Sequence, residues 1–453
     1  MDEMTHIRER VARFCDESQV PGFLAGVYHA GQTEISAYGI ANLTTGAAMR
    51  PDTGFLFGSV TKIMTTMLVL RQVAAGKLDL DAPVVRYLPE FALAEPGAAE
   101  RVLVRHLVMH TSGIDADLYF PRGCGDSALA GYMAGLARQC GTLFEPGRYV
   151  SYSNGGMIVA GRLLEVVTGL SYAELLRRDV YEPLGMGTAA TSAEEAILRG
   201  TAIGHFPGPD GTARPTGMFK LPDTWGPAGG TPIGTIDDLL KLGRAHLAAD
   251  NPMAVVTHDM GVANVPPIGM GWLLEDFGGT TVLSMSGASP GGVAVLAVVP
   301  AHDLVFAAYG NDPRAFALHN ELIPELVGRF APVAFPPLAV ADEGDLRRYA
   351  GTYRSQQLRV DVTVAGGELE ERVTYEPADP DQEAIFTAFA GGPVSGPPQR
   401  YVPLGDGLFA PAGMPLESLG GYGRVYLVSY LGDAGGRATH RCAGGRMTRR
   451  TGE

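Results

Sequence analysis

Apolar side chains at Val60, Ile63, Met64, Met67 and Leu68 recur with the period of a helix, and Gly76 stands where such a helix would stop. The same periodicity predicts helices over residues 7–15, within 101–110, and over 127–139, 154–168 and 171–179, the 154–168 segment being the most apolar and stopping at Gly169. Residues 237–249 form a further predicted helix, with Thr235 and Asp238 spaced as a variant of the capping box. Elsewhere the pattern is that of strands. Residues 23–28 and 34–38 flank Ala30-Gly31-Gln32 as a hairpin. Residues 280–285, 293–299 and 304–309 are strand-like runs joined by tight turns at Ser289-Pro290-Gly291-Gly292 and Pro300-Ala301-His302-Asp303. Strands at both ends of a helical middle imply one antiparallel sheet in which the ends of the unit meet, with helices on its faces. Near Phe330 the pattern changes. Phe335-Pro336-Pro337-Leu338-Ala339 reads as a linker, and helical periodicity disappears after Leu346. Short strand-like pieces at 346–354, 360–364, 368–375, 384–389, 400–404, 407–409, 424–430 and 440–442 then alternate with Gly, Pro and Asp turns, which suggests a small β-barrel or sandwich. The expected division is 1–332, a linker at 333–344, and 345–453.

A chain of 453 residues is long enough for more than one core, in agreement with that division. Its net charge of −14 argues against a nucleic-acid partner and against an anionic membrane surface. The most apolar long stretch, 293–308, is broken by Pro300, His302 and Asp303 and would not span a bilayer. Residues 1–10 are charged and lack the apolar segment of a signal peptide. Cys15, Cys124, Cys140 and Cys442 show no C-x-x-C spacing, which suits a reducing compartment and argues against a structural zinc site. The expectation is a cytoplasmic protein. No pair of histidines has metal spacing and no glycine-rich phosphate loop stands out, so neither metal nor cofactor is expected.

Candidate chemistry begins at Ser59 and Lys62, which share one face of the first turn of the helix near Val60. Burial disfavours an ammonium, so a lysine there can act as a neutral amine, and the helix N-terminus favours negative charge near the serine oxygen. The pair is a nucleophile with a base; the plain alternative is a capping serine and a lysine snorkelling off a core helix. Tyr152-Ser153-Asn154 follows the turn-forming Phe144-Glu145-Pro146-Gly147 and precedes the 154–168 helix. In extended chain a Tyr and an Asn two apart point the same way. The tyrosine can take the nucleophile's proton if a cationic lysine lowers its pKa, and the amide can bond the lysine or a substrate carbonyl. Tyr309-Gly310-Asn311 repeats the spacing, so this signal is weak alone. Gly287-Ala288-Ser289-Pro290-Gly291 matches G-x-S-x-G, but a nucleophile elbow requires a helix after the turn and a strand follows here.

In combination these segments are specific. The chain resembles the serine β-lactamase and penicillin-binding-protein superfamily, in particular the class C-like esterases and D-amino-acid peptidases. The residues that carry the resemblance are Phe57-Gly58-Ser59-Val60-Thr61-Lys62, His110-Thr111-Ser112-Gly113, Phe144-Glu145-Pro146-Gly147 with Tyr152-Ser153-Asn154, Pro183-Leu184-Gly185-Met186, Ala228-Gly229-Gly230 with Thr235 and Asp238, and Gly287 with Pro290-Gly291, in family order over residues 7–311. The resemblance implies an α/β (α+β) fold with a β-lactamase-like antiparallel sheet flanked by helices and a helical subdomain. It implies Ser59 as acylated nucleophile, Lys62 and Tyr152 as the base system, Asn154 as a polar positioner, and the backbone N–H groups of Ser59 and Ala288 as the oxyanion hole.

One departure concerns the third motif, which in this family reads Lys-Thr-Gly or His-x-Gly and here is Met285-Ser286-Gly287, a substrate-binding segment without a cation. That weakens a β-lactamase or carboxypeptidase reading and is compatible with ester or thioester substrates. The tail Gly444-Gly445-Arg446-Met447-Thr448-Arg449-Arg450 resembles the last strand of the lipocalin-like domain on penicillin-binding-protein-type thioesterases, which release and cyclise nonribosomal peptides. If that barrel covers the site, Arg446 can bind a substrate carboxylate bidentately, while Arg449 and Arg450 read as a solvated basic tail. The favoured expectation is a peptide-cyclising thioesterase whose partners are a small-molecule or peptidyl ester or thioester and could include a carrier protein of a peptide synthetase. A cytosolic esterase or D-amino-acid peptidase, and a catalytically inactive binding module, are the alternatives.

Overall fold

The computed structural model describes residues 3–115, 117–119, 125–392 and 395–452; Cys124 lies outside them. A seven-stranded sheet runs in the order Ala47–Ala48, Gln32–Asn42, Gly22–His29, Leu304–Gly310, Gly292–Val299, Thr281–Ser289, Leu273–Asp276. Its pairings are antiparallel, and the early and late strands of the unit meet as the pattern implied, Phe23 opposite Gly310 and His29 opposite Leu304.

The inner strands are nearly unbroken apolar runs because both faces are covered. Phe23, Ala25 and Val27 join Val295 and Phe306 under the helices Glu3–Ser18 and Ala315–Val327. Leu24 and Tyr28 join Leu296 and Ala307 on the other face, under Ile236–Arg244 and the helical middle of the chain. The strand Leu273–Asp276 and the helix Ala315–Val327 add to the expected elements; the helix carries Pro324 inside it, which obscures its period. Helix Asn154–Thr168 ends as predicted, with the Ser153 hydroxyl accepting the Gly156 N–H at 2.9 Å and Gly169 in the left-handed region. The capping box of Thr235 and Asp238 also forms, although its helix stops at Arg244. The predicted 171–179 helix is regular only over Tyr172–Leu176 and then widens into a π-helical turn, Arg177–Tyr181.

The strands Gly351–Arg354, Leu358–Ala365, Glu368–Tyr375, Gln399–Gly405, Leu408–Pro411, Val428–Leu431, His440–Ala443 and Arg446–Thr451 close into a barrel in chain order. No helix or strand occurs between 331 and 345. The barrel interior is filled by Tyr349, Tyr353, Phe409 and Tyr430 and by a buried pair in which Arg441 donates to Glu371 at 2.8 and 2.5 Å. Two expectations are corrected here. Residues 384–389 are not a strand but part of the helix Pro380–Ala390: Asp379 accepts the Gln382 N–H at 2.9 Å, Pro380 opens the first turn and Gly391 closes the last. Arg450 is not a solvated tail residue, because its guanidinium donates to the Ala438, Ala350 and Arg348 carbonyls and to Tyr353 Oη, tying the last strand into the barrel.

Candidate active site

Ser59 sits in a 3₁₀ turn, Gly58–Val60, that leads into the helix Thr61–Ala74. Two short pieces of chain hold the turn. Phe55 and Leu56 pair with Gly234 and Ile233, and the Phe57 N–H donates to the Pro232 carbonyl at 3.0 Å. On the other side stands the sheet edge. The strand Leu273–Asp276 pairs only with residues 281–284 of its neighbour, so the Met285–Ser289 end of that neighbour is left to face the turn. The approach is close: a Cβ on Gly58 would lie 2.8 Å from Ala288 N, and one on Gly287 2.1 Å from the Phe57 carbonyl. Gly58 also has φ +54, so glycine is required there for both reasons. The Ser59 and Ala288 backbones predicted for an oxyanion hole are thus brought to one place.

The helix is buried nearly all round, Lys62, Thr65 and Thr66 included. Lys62 has 0% exposure. Its Nζ lies 2.9 Å from Ser59 Oγ, donates to the Ala228 carbonyl at 2.6 Å and stands 4.7 Å from the centre of the Tyr152 ring. Burial, aided by the nearby Arg446 guanidinium, holds the Lys62 amine well below the usual lysine range. Burial pushes the Tyr152 phenol up, and a hydrogen bond with Ser59 only partly opposes it. The arrangement is a hydroxyl beside an amine that prefers to be neutral and a phenol that prefers to stay protonated.

Asn154 projects from the first turn of its helix and donates to Asp117 Oδ1 at 2.5 Å. Asp117 Oδ2 forms an ion pair with Arg446 Nε at 3.0 Å. The Arg446 guanidinium lies 5.0 Å from the Tyr152 ring and its side chain is 43% exposed, so the barrel presents a cation at the edge of the site. Met285 is 2% exposed and shares the sheet face of the Ser59 helix. By strand alternation Ser286 points to the opposite face, so a substrate lying along this edge would meet its backbone. Ser289 sits in a hairpin and donates to the Gly292 carbonyl at 3.3 Å, which removes it as a nucleophile. Asn311, from the repeated Tyr-x-Asn spacing, spends its amide on the Gly22 N–H and the Ile40 carbonyl and is structural.

Sequence reasoning brought Ser59, Lys62, Tyr152, Asn154, Gly287, Ala288 and Arg446 together; it missed Asp117 and the Ala228 carbonyl. Asp117 belongs to no motif, and a carbonyl has no signature in sequence. His110 also touches the site: its ring centre is 4.6 Å from that of Tyr152 and its Nδ1 accepts the Ser153 N–H at 3.1 Å. Burial first, and Lys62 second, lower its pKa to about 3, so it is a neutral imidazole.

A family model described as Beta-lactamase matches residues 6–326. The chain belongs to the beta-lactamase family. Penicillin-binding protein 4 of Amycolatopsis lactamdurans is 33% identical over 374 residues, covering 78% of this chain and 97% of that protein. Esterase EstB of Burkholderia gladioli is 38% identical over a shorter stretch of 165 residues, 33% of this chain and 41% of that one. The crystal structure of SurE superposes with a TM-score of 0.76 at 25% identity and covers 99% of both chains, barrel included; SurE has also been solved with D-Leu, at a TM-score of 0.75. The chain is therefore an enzyme, a serine hydrolase of the β-lactamase and penicillin-binding-protein type, with helices around an antiparallel sheet and a closed β-barrel at its C-terminal end.

Proposed function

We propose that the enzyme works through a Ser-Lys-Tyr acyl-enzyme mechanism and transfers the acyl group, as a peptide-cyclising thioesterase of the cytoplasm. The observation that carries the chemistry is the buried Lys62 amine, 2.9 Å from Ser59 Oγ. A neutral amine can donate one proton to Ala228 and turn its lone pair to the Ser59 hydroxyl. Ser59 Oγ then attacks the substrate carbonyl and its proton passes to Lys62. The Ser59 and Ala288 N–H groups receive the oxyanion. As the tetrahedral intermediate collapses the carbon–sulfur bond breaks, and the proton moves through the Tyr152 hydroxyl to the leaving thiolate. In the second half an amine of the same peptide attacks the ester carbonyl, the bond to Ser59 Oγ breaks, and the amine's proton returns by the same route to Ser59. Tyr152 acts here as a protonated relay, because burial raises its pKa and the neutral lysine supplies no charge to lower it.

Transfer in preference to hydrolysis is supported by a barrel that brings Arg446 to the site, and a D-configured residue by the likeness along both chains to SurE, which has been solved with D-Leu. The substrate in this reading is a peptidyl thioester with a D-configured acyl residue, delivered free or on a carrier protein. A side-chain carboxylate of the peptide would meet Arg446, which already pairs with the carboxylate of Asp117. Incubation with a peptidyl thioester ending in a D-residue, and with its ester analogue, is expected to yield the cyclic peptide by mass spectrometry. A product that is linear acid alone would reject cyclisation and return the protein to the esterases and D-amino-acid peptidases. The Ser59→Ala variant is expected to lose labelling by an acylating probe, and labelling retained at another residue would overturn Ser59 as nucleophile.

A further inference from the structure

The segment Ser151-Tyr152-Ser153 is held through three successive backbone N–H groups. Ser151 N–H donates to the His110 carbonyl at 2.8 Å, and Ser153 N–H to His110 Nδ1 at 3.1 Å. The middle one, Tyr152 N–H, donates at 2.8 Å to the carbonyl of Gly445, which lies in the barrel. The contact is reciprocated next door, where the Met447 N–H donates to Ser151 Oγ at 3.1 Å. Ser151 is buried, so an amide here that lost its acceptor would have no water to replace it. The carbonyl of Gly445 is aimed by a two-residue turn, Gly444-Gly445, between the strands His440–Ala443 and Arg446–Thr451; both glycines have positive φ, 55 and 70. Such a turn matches the twist of a hairpin, and side chains other than glycine strain it.

We infer that the barrel hairpin at Gly444–Gly445 is a positioning element for Tyr152, so that proton transfer at Ser59 depends on the barrel even for substrates too small to touch it. The inference rests on the Ser-Lys-Tyr reading of the site. It assigns the barrel a task distinct from substrate binding by Arg446. The Gly445 carbonyl and the Ser151 hydroxyl fasten the segment from the barrel side, His110 fastens it from the other, and the phenol is thereby set beside Ser59 and Lys62. A filled barrel interior fits this task, since a rigid strand pair is a better anchor than one lining a ligand cavity.

The test uses the full-length chain and a small activated acetate ester, which carries no carboxylate for Arg446. Gly445→Ala strains the turn, and Ser151→Ala removes the acceptor of the Met447 N–H without straining any backbone. Gly435→Ala is the control: Gly435 has φ +64 in the turn between Ala434 and Arg437, across the strand His440–Ala443 from the Gly444–Gly445 turn. Gly445→Ala and Ser151→Ala are expected to lower kcat for the acetate ester about tenfold. They should also displace the pH–rate profile, while Gly435→Ala keeps both. Parent-like kcat and pH profile in both variants, with only KM for a peptidyl substrate changed, would show the barrel to be a binding wall and overturn the inference. Should Gly445→Ala fail to fold by circular dichroism, Ser151→Ala decides alone. Tyr152→Phe separates the two levels: parent-like turnover by that variant rejects the Ser-Lys-Tyr reading itself, whereas its loss leaves the positioning role to be judged by the other variants.

Discussion

Lys62 sets the pH behaviour of the enzyme. Buried at 0% exposure, it is needed as the neutral amine, so kcat/KM should rise with pH along a limb that reports its pKa, well below the ordinary lysine value of 10.5. Arg446 contributes to that lowering through its positive charge. Arg446→Met should therefore raise the Lys62 pKa and move the limb to higher pH, measured on a small ester that does not need the guanidinium for binding. An unmoved or downward-shifted limb would mean that Lys62 does not control it. At this scale Ser59 and Lys62 were legible because both lie on one helical turn, where a spacing of three residues fixes their proximity. Asp117 was not, since it reaches Asn154 and Arg446 only through a loop without periodicity.

Among the elements, the helix Pro380–Ala390 is the one whose pattern misled. Ile385, Phe386 and Phe389 in a short apolar run read equally as strand or helix. The start signal was nevertheless present in Asp379 and Pro380, and the stop signal in Gly391. The helix packs across units: Phe386 and Phe389 lie 5.3 and 6.3 Å from the ring of Tyr119, which is itself stacked on Trp225 at 4.4 Å. Gln382 donates to Gln139 at 3.1 Å, and the far end of the helix abuts Phe206 at Gly391. Removing the cap with Asp379→Ala should cost about 1 kcal/mol. It should also loosen the packing of Phe386 and Phe389 on Tyr119, which is read as a lower melting temperature. A melting temperature equal to the parent's would show that packing and not the cap holds this helix.

Over the whole molecule, the join between the sheet unit and the barrel is polar at its centre. Asn264, 4% exposed, donates to the Leu427 and Cys442 carbonyls at 3.3 and 3.1 Å and accepts the Ser429 hydroxyl at 2.8 Å. His440 reaches the Leu143 carbonyl at 3.0 Å, and Gln356 N–H donates to Asp115. Asn264→Ala leaves buried carbonyls without their donor and should destabilise the join by about 1–3 kcal/mol. The expected result is earlier proteolysis in the 331–345 segment and a lowered rate on the acetate ester; a parent-like cleavage pattern would argue that the remaining contacts suffice. The sequence by itself determined most of the helices and strands, the closing of the sheet by its own ends and the Ser59, Lys62 and Tyr152 candidates, because each of these is written in short-range periodicity, capping residues or a motif of a few neighbouring positions. Only the tertiary structure decided that Lys62 is wholly enclosed, that Ala228 and Asp117 belong to the site, that Met285 is buried, and that a barrel carbonyl at Gly445 holds Tyr152. These depend on backbone groups and loops far apart in the chain, and a backbone carbonyl is the same in every residue, so no local pattern can announce which one will be aimed at the active site.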